Sequence, residues 1–210
     1  MMAGLEFENE FYSKGCKYIV GIDEAGRGPL AGPLVVAACI LPYGYNNEII
    51  DDSKKLTEKK RELLFSLIKE VAVDYVVKVV SIEKVDELNI YQATKNAMKE
   101  CVNELKVRPD AILTDAMPLE NMDIEVKDII KGDAKSQSIA AASILAKVTR
   151  DHIMYELDEK YPESDFKHNK GYGTKKHIEA LNRYGITDVH RRTYEPVKSM
   201  LIEQLSLDIE

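Results

Sequence analysis

The chain has 210 residues, enough for one domain with a sizeable core, and its 45% hydrophobic and 31% charged residues are typical of a globular protein. Its formal net charge of −7 argues against a protein that coats nucleic acid through bulk electrostatics. Three cysteines without C-x-x-C spacing predict neither a disulfide framework nor a zinc site, and the longest apolar run, residues 33–42, is shorter than the about 20 residues that cross a membrane.

The first predicted element after the N-terminus is a strand over residues 17–24, and it ends in two adjacent acids, Asp23 and Glu24. Because successive strand side chains alternate between faces, at least one of these carboxylates points to covered space, where an unpaired charge is costly. The turn Gly26-Arg27-Gly28 follows. Its glycines leave room for a ligand to reach backbone N–H groups, and Arg27 is placed to meet a phosphate. The alternative is an ordinary hairpin turn with solvated charges.

The rest of the chain reads as an α/β pattern. The predicted elements are a strand at 34–41 in a hairpin with the first, a helix behind the N-cap Thr57, a strand at 73–80, a helix at 83–106, strands at 111–115 and 124–130, a long helix at 134–161, and helices at 174–184 and 196–207. This order predicts a mixed sheet flanked by helices. We expect one domain over residues 1–195 with a helical C-terminal extension at 196–210. The N-terminal residues lack the apolar core of a signal peptide, so we expect a cytoplasmic protein.

Two more acids occupy informative places. Asp115 ends the strand "AILTDA", and Asp133 lies between a strand and the long helix. Read singly, one is a turn residue and the other an N-cap. Together with Asp23 and Glu24, all at strand ends and none with an obvious basic residue beside it on the same face, they predict a shared site that needs a cation. Oxygen ligands without His or Cys favour Mg²⁺ or Mn²⁺.

Several motifs in order carry a family resemblance. The segments "GIDEAGRGPLAGPLVVAACIL", "DSKKLT", "ILTDA", "KGDAKSQSIAAASILAKVTRD" and "NKGYGTKKH" resemble the successive motifs of bacterial ribonuclease HII, the type 2 ribonucleases H. The resemblance runs from about Tyr18 to Pro196 and implies a ribonuclease H-like α/β fold with a mixed five-stranded sheet. The related ribonuclease HIII branch usually has Lys where Arg27 stands.

The resemblance implies an activity and its residues. It implies cleavage of the RNA strand of RNA/DNA hybrids, and of single ribonucleotides in duplex DNA, with roles in DNA repair and replication. Asp23, Glu24, Asp115 and Asp133 are the implied catalytic ligands of two Mg²⁺ or Mn²⁺ ions, and the products are a 5′-phosphate and a 3′-hydroxyl. The resemblance also implies that the turn Gly26-Arg27-Gly28 recognises the 2′-hydroxyl through its backbone and that Tyr172 packs on the sugar of the next deoxynucleotide.

Other residues are candidates for phosphate or protein contacts. Residues 164–198 contain eight Lys or Arg against four Asp or Glu, which allows a local phosphate-facing surface on an acidic body. The phosphate-contact candidates are Lys54, Lys55, Lys147, Lys170 and Lys175. The tail residues Gln204, Leu205, Leu207 and Ile209 resemble a peptide that docks into a sliding clamp, although a frayed amphipathic helix reads equally well. His190, in "VHRRTYEP", is expected to be structural, and we expect a monomer.

The residues alone leave two other functions open. A resolvase of ribonuclease H-like fold would use the same carboxylates to cut branched DNA without any 2′-hydroxyl. A non-catalytic hybrid-binding module, or a metal-binding scaffold, would show affinity for hybrids that survives Asp115→Asn, with no turnover in the parent protein. Neither alternative accounts for the Gly-Arg-Gly turn and Tyr172 that accompany the acids.

Overall fold

The computed structural model describes the backbone of residues 3–207 and the side chains of residues 3–202. Its strands are β1 (Ile19–Ala25), β2 (Leu34–Ile40), β3 (Asp74–Val80), β4 (Ala111–Asp115) and β5 (Glu125–Ile129). Its helices are α1 (Glu6–Tyr12), α2 (Glu58–Val71), α3 (Ile82–Leu88), α4 (Ile90–Glu104), α5 (Gln137–Lys160), α6 (Phe166–Asn169), α7 (Lys175–Tyr184) and α8 (Val197–Leu207). None of the helices within this described part is long and apolar enough to cross a membrane.

The five strands form one mixed sheet in the order β3-β2-β1-β4-β5. The hairpin partners β1 and β2 run antiparallel, while β1, β4 and β5 are parallel neighbours. Every residue of β2 is buried, as its continuous apolar run predicts for a strand covered on both faces. The predicted α/β fold with a mixed five-stranded sheet flanked by helices is confirmed.

The long helix α5 lies unusually close to the central strand β1. A Cβ built on Gly21 would lie 2.0 Å from the carbonyl carbon of Ser138 and 2.3 Å from the nitrogen of Ile139. These are backbone atoms, so only glycine fits at this position. The next turn of the helix carries the fully buried Ala140, Ala141 and Ala142, whose small side chains also allow close packing.

The structure departs from the predicted elements at two helices. The helix predicted over residues 83–106 is two helices, because Asn89 adopts a positive φ of 64° and its Oδ1 accepts the N–H groups of Tyr91 and Gln92 at the start of α4. The long helix begins at Gln137 instead of Ala134, since Gly132–Ala134 form a separate 3-10 turn.

The helix α1 was not predicted at all. It has seven residues, too few to be stable in isolation. Its buried Glu8 accepts hydrogen bonds from the Ser136 hydroxyl at 2.6 Å and from the Ser138 N–H at 2.9 Å. These contacts fasten α1 to the first turn of α5, whose N–H groups have no partners within the helix.

The chain forms two compact units. The sheet unit comprises the residues up to Ala25, Val35–Val79 and Thr94–Thr149, and the helical unit comprises Gly26–Leu34, Val80–Ala93 and the residues from Arg150 onward. One cluster in the helical unit is built on Ala31, Met154, Phe166 and Val189. The assignment of residues 1–195 to one catalytic domain stays a prediction.

Candidate active site

Strand pairing brings the predicted acids to one edge of the sheet. In the parallel ladder, Ile22 of β1 is paired with Thr114 of β4, so the residues that follow, Asp23 and Asp115, come side by side. Asp115 is also paired with Ile129, the last residue of β5. The 3-10 turn after β5 carries Asp133 to the same edge. This is the carboxyl edge of the parallel strands, where α/β folds hold their ligands.

Three of the four acids form a tight group. Among the described residues, ligand oxygens of Asp23, Asp115 and Asp133 all lie within 4.8 Å of one another. Asp23 and Asp133 are buried, at 4% and 3% exposure, and Asp115 is half-buried. Glu24, which follows Asp23 on the strand, is half-buried and lies outside this group of three.

Hydrogen bonds hold Asp23 in place. The N–H of Glu24 donates to Asp23 Oδ1 at 2.7 Å, and the side chain of Ser143 on α5 also bonds this carboxylate. Ser143 is itself held by Ser53, whose hydroxyl oxygen lies 3.0 Å from that of Ser143. Neither serine lies in a local sequence pattern that predicts a contact with the acids.

Burial and mutual repulsion disfavour the ionised forms of Asp23 and Asp115. Burial raises the pKa of Asp23 well above its ordinary value of 3.8, and the charges of Glu24 and Asp115 raise it further. Burial also raises the pKa of Asp115; the Gly132 N–H, 2.7 Å from Oδ1, opposes this shift, and the charge of Asp133 reinforces it. A cation bound among these oxygens would relieve the repulsion.

One cation of the protein already reaches the group. Lys54 Nζ donates to Asp133 Oδ2 at 3.0 Å. The Lys54 side chain is 75% exposed and that of Asp133 only 5%, so the lysine leans in from solvent over a buried acid. The expectation that no basic residue stands beside the acids is therefore wrong for Asp133. The sequence predicts Lys54 as a phosphate contact; its contact with Asp133, 79 residues away, leaves no local signal in the sequence.

The Gly-Arg-Gly turn lies in the helical unit, together with Tyr172. Gly26 has a φ of +100°, and a Cβ there would lie 2.2 Å from Arg150 Nε, so this position requires glycine. A Cβ on Gly28 would lie 3.6 Å from Tyr172 Cε1, which places these two predicted residues next to each other. Arg27 and Gly28 are exposed, and Tyr172 is 50% exposed. The turn and the tyrosine thus share one exposed surface.

Buried groups hold this surface from below. Arg191, fully buried, donates to the carbonyl oxygens of Gly26 and Arg27. His177, also buried, bonds the carbonyl oxygen of Tyr172 at 2.9 Å. Neither role was predicted. The available signal was an arginine inside the motif "VHRRTYEP", in which only His190 was given a role, a structural one.

The remaining predicted residues lie in different settings. Lys55 is exposed and pairs with Asp51 at 3.3 Å, Lys147 is half-buried on α5, and Lys175 is exposed at the start of α7. Lys170 has a buried ammonium 3.5 Å from the centroid of the Tyr155 ring, so its phosphate contact stays a prediction that needs this ammonium to move. The proposed clamp-binding side chains, Gln204, Leu205, Leu207 and Ile209, lie outside the described residues.

Comparison with known proteins decides the family. A profile of ribonuclease HII matches residues 20–197. The ribonuclease HII of Desulfitobacterium hafniense (strain DSM 10664 / DCB-2) is 56% identical over 197 residues, which cover 94% of this chain and 76% of that relative. This chain belongs to the ribonuclease HII family. It is therefore a ribonuclease H, and hydrolysis of a phosphodiester is its class of reaction.

Solved structures support the same family and fold. The crystal structure of the ribonuclease H2 from Pyrococcus horikoshii OT3 superposes with a TM-score of 0.77 at 29% identity, covering 89% of this chain and 98% of that chain. A chain in the PCNA:RNase HII complex from Archaeoglobus fulgidus gives a TM-score of 0.66 at 27% identity, covering 85% of this chain and 95% of that chain. The predicted ribonuclease H-like fold is confirmed.

Proposed function

We propose that this chain is a divalent-metal-dependent endoribonuclease that cuts the RNA strand of RNA/DNA hybrids and single ribonucleotides embedded in duplex DNA. The observation that carries the proposal is the convergence of Asp23, Asp115 and Asp133 on one sheet edge, within 4.8 Å of one another. Membership of the ribonuclease HII family supports the substrate class. The products are a 5′-phosphate and a 3′-hydroxyl.

The donor set fits hard divalent cations. All candidate ligand atoms are carboxylate oxygens, two of the three acids are buried, and the pKa of Asp23 is raised by burial and by neighbouring charges. Such a group is stabilised by a cation that takes oxygen ligands, which favours Mg²⁺ or Mn²⁺ over zinc or copper. Asp23, Asp115 and Asp133 would hold the ions, with Glu24 completing the set.

The ions, when bound, supply an activated water and stabilisation of the leaving 3′ oxygen. The protein's own groups set the geometry of the ligands. Ser143 and the Glu24 N–H orient Asp23, and the Gly132 N–H orients Asp115. Because the two oxygens of a carboxylate have about four acceptor sites between them, these contacts can fix each ligand and still leave acceptor sites for a cation.

Recognition of the ribonucleotide is assigned to the Gly-Arg-Gly turn. A ribonucleotide in DNA differs from its neighbours by one 2′-hydroxyl, which both donates and accepts hydrogen bonds. The exposed backbone at Arg27 and Gly28 offers N–H donors to this hydroxyl, and Tyr172, next to Gly28, offers a ring for the adjoining sugar. In sequence, the turn directly follows the strand that carries Asp23 and Glu24.

A cleavage assay on a labelled DNA duplex with one ribonucleotide tests the function. We expect a cut on the 5′ side of the ribonucleotide with Mg²⁺ or Mn²⁺, no cut with EDTA, and no cut of the all-DNA duplex of the same sequence. Cleavage of a DNA junction that contains no ribonucleotide would identify a resolvase instead. Affinity for RNA/DNA hybrids without turnover under either metal would identify a binding module.

A partner and a cellular role follow from the same proposal. The A. fulgidus RNase HII was solved in complex with PCNA, which supports, for this chain, docking of Gln204, Leu205, Leu207 and Ile209 to a sliding clamp. Such docking would give the enzyme a role in DNA repair and replication. We also propose that the protein is cytoplasmic and monomeric. Deletion of residues 204–210 should abolish binding to an immobilised clamp and leave cleavage of the short duplex unchanged. Clamp binding that survives the deletion, or is absent from the full chain, contradicts this assignment.

A further inference from the structure

Arg191 is a fully buried cation whose hydrogen-bond partners are neutral oxygens. Its Nη2 donates to the carbonyl oxygens of Gly26 at 2.6 Å and Gly32 at 2.9 Å, its Nη1 to those of Arg27 at 3.1 Å and the Tyr194 hydroxyl at 3.3 Å, and its Nε to Gly32 at 3.1 Å. Five bonds match the five N–H groups of a guanidinium. Burying a charge this deeply is costly, so the arrangement calls for a function.

Two of these bonds fix the orientation of the peptides in the Gly-Arg-Gly turn. The Gly26 carbonyl shares a peptide plane with the Arg27 N–H, and the Arg27 carbonyl shares one with the Gly28 N–H. Both peptides are trans, so in each of them the N–H points in the opposite direction to the carbonyl of the same peptide bond. Because both carbonyls point inward to Arg191, the N–H groups of Arg27 and Gly28 point outward, where both residues are exposed.

Tyr194 completes the support. Its hydroxyl accepts from Arg191 Nη1 and donates to the Arg27 carbonyl at 2.8 Å, so that carbonyl receives two hydrogen bonds from below. The Arg191 guanidinium also lies 5.1 Å from the centre of the Tyr194 ring. The pair therefore holds the Arg27 peptide from two directions.

We propose that Arg191, supported by Tyr194, is the positioning residue that turns the Arg27 and Gly28 N–H groups outward and thereby sets the enzyme's selectivity for a 2′-hydroxyl. The inference rests on the proposed function, in which this turn reads the ribonucleotide. Arg191 touches no substrate itself. It acts through the two carbonyl oxygens, so its removal changes recognition before it changes general affinity for DNA.

The same unit offers a matched control. Arg150 is 1% exposed and also donates to backbone carbonyls, those of Pro33 at 3.0 Å, Ala31 at 3.0 Å and Lys170 at 2.9 Å. None of these three carbonyls belongs to the Gly-Arg-Gly turn, although the Arg150 side chain packs against Gly26. A comparison of Arg191→Lys with Arg150→Lys therefore separates the orientation of the turn's carbonyls from packing against the turn and from the general loss of a buried guanidinium.

The experiment measures two constants for the wild type and each variant. The first is kcat/KM on the duplex with one ribonucleotide, and the second is the inhibition constant of the all-DNA duplex, which reports DNA affinity without the 2′-hydroxyl. For Arg191→Lys we expect kcat/KM to fall about 10- to 100-fold, the effect of one or two misaligned hydrogen bonds, with the inhibition constant changed less than about twofold. For Arg150→Lys, with a similar loss of Tm, we expect a several-fold smaller fall in kcat/KM.

The possible outcomes distinguish the positioning role of Arg191 from the proposed function on which it rests. Equal losses of kcat/KM in both arginine variants, or a parallel rise of the inhibition constant in Arg191→Lys, overturn the inference. If Arg191→Lys does not fold, Tyr194→Phe decides, since it removes one bond to the Arg27 carbonyl and keeps the ring; unchanged kcat/KM there overturns the inference as well. A wild-type protein that cuts no ribonucleotide-containing duplex contradicts the proposed function, and this role with it. Wild-type cleavage with insensitive variants contradicts only the positioning role.

Discussion

At the scale of single residues, the burial of Asp23 shapes what substitution there should do. The pKa of this carboxyl is raised by burial and by the charges of Glu24 and Asp115, so the ionised form is held at a cost in stability. Removing the charge should relieve that cost while removing a proposed ligand for the metal ions. Activity and stability are therefore expected to move in opposite directions.

We expect Asp23→Asn and Asp115→Asn to reduce kcat by at least about a thousandfold, because each removes a ligand to the ions that stabilise the transition state. The Tm of the metal-free variants should equal or exceed that of the wild type. Asp123→Asn, an exposed aspartate of the same unit, serves as the control and should change neither quantity. Retained activity with a Tm lowered by many degrees would show that the two acids are structural.

The buried histidine pair gives a second residue-scale expectation. The Thr187 N–H donates to His190 Nδ1 at 3.1 Å, so the proton of His190 must be on Nε2, which lies 3.0 Å from His177 Nε2. His177 then carries its proton on Nδ1 and donates to the Tyr172 carbonyl. Both rings are thus held neutral. Burial lowers the pKa of His190 to about 4, and the nearness of His177 contributes because protonation of both rings would place two positive charges side by side; burial also lowers the pKa of His177.

This pair should make the protein less stable in acid. Between the ordinary histidine pKa of 6.5 and the folded value of about 4, the unfolded chain binds the proton that folded His190 does not, so stability falls as the pH falls. From about pH 7.5 to 4.5 the wild type should lose roughly 2 to 3 kcal/mol relative to His190→Asn, whose amide oxygen can still accept the Thr187 N–H. Urea unfolding of both proteins across this range measures the difference. Parallel curves would mean that His190 does not titrate in this way.

At the residue scale, the acids could be predicted from the sequence, but the residues that contact them in space could not. Asp23, Asp115 and Asp133 could be found because a charge at the end of an apolar strand is conspicuous and strand ends meet in space. The contact of Lys54 with Asp133 could not, since it depends on where the loop before α2 folds. The role of Arg191 depends on backbone carbonyls, which no residue type reveals.

At the scale of elements, the fit between α5 and β1 depends on a missing side chain. We expect Gly21→Ala to lower the free energy of unfolding by about 3 kcal/mol or more, because the new Cβ would meet the Ser138 backbone, which has no free rotation to escape it. Gly4→Ala is the matched control in the same unit, since a Cβ there has nothing within 4 Å. Urea unfolding of the two variants compares them. Similar losses at both sites would show that α5 shifts easily on the sheet.

The elements themselves were mostly predictable. Each strand of the sheet was predicted from its pattern of strand-forming residues, and the N-cap Thr57 was predicted from its position, its side chain accepting the Lys60 N–H in the structure. The break at Asn89 was missed because the helical pattern continues across it. The helix α1 was missed because its stability comes from Glu8 and its contacts with α5, which a local pattern does not contain.

At the scale of the whole molecule, the acidic group links metal binding to folding. An ion that binds the folded protein and not the unfolded chain adds stability by mass action, about 2.7 kcal/mol at a hundredfold excess over its dissociation constant. For a chain of this size that corresponds to a Tm rise of roughly 5 to 10 °C. Thermal unfolding with Mn²⁺ or Mg²⁺ should show this rise in the wild type and lose most of it in Asp115→Asn. An equal rise in both proteins would place the stabilising ion elsewhere.

The segment around the Gly-Arg-Gly turn is tied to the body of the helical unit along its length. Besides the bonds from Arg191, the N–H groups of Leu30 and Ala31 donate to the Gly171 carbonyl, and the N–H of Gly32 donates to that of Val189. A loop fixed in this way has lost its conformational entropy during folding and has little left to lose when a ligand arrives. In the proposed function, substrate binding would then spend little free energy on ordering this turn, so more of the free energy of interaction with the nucleic acid would remain for the chemical step.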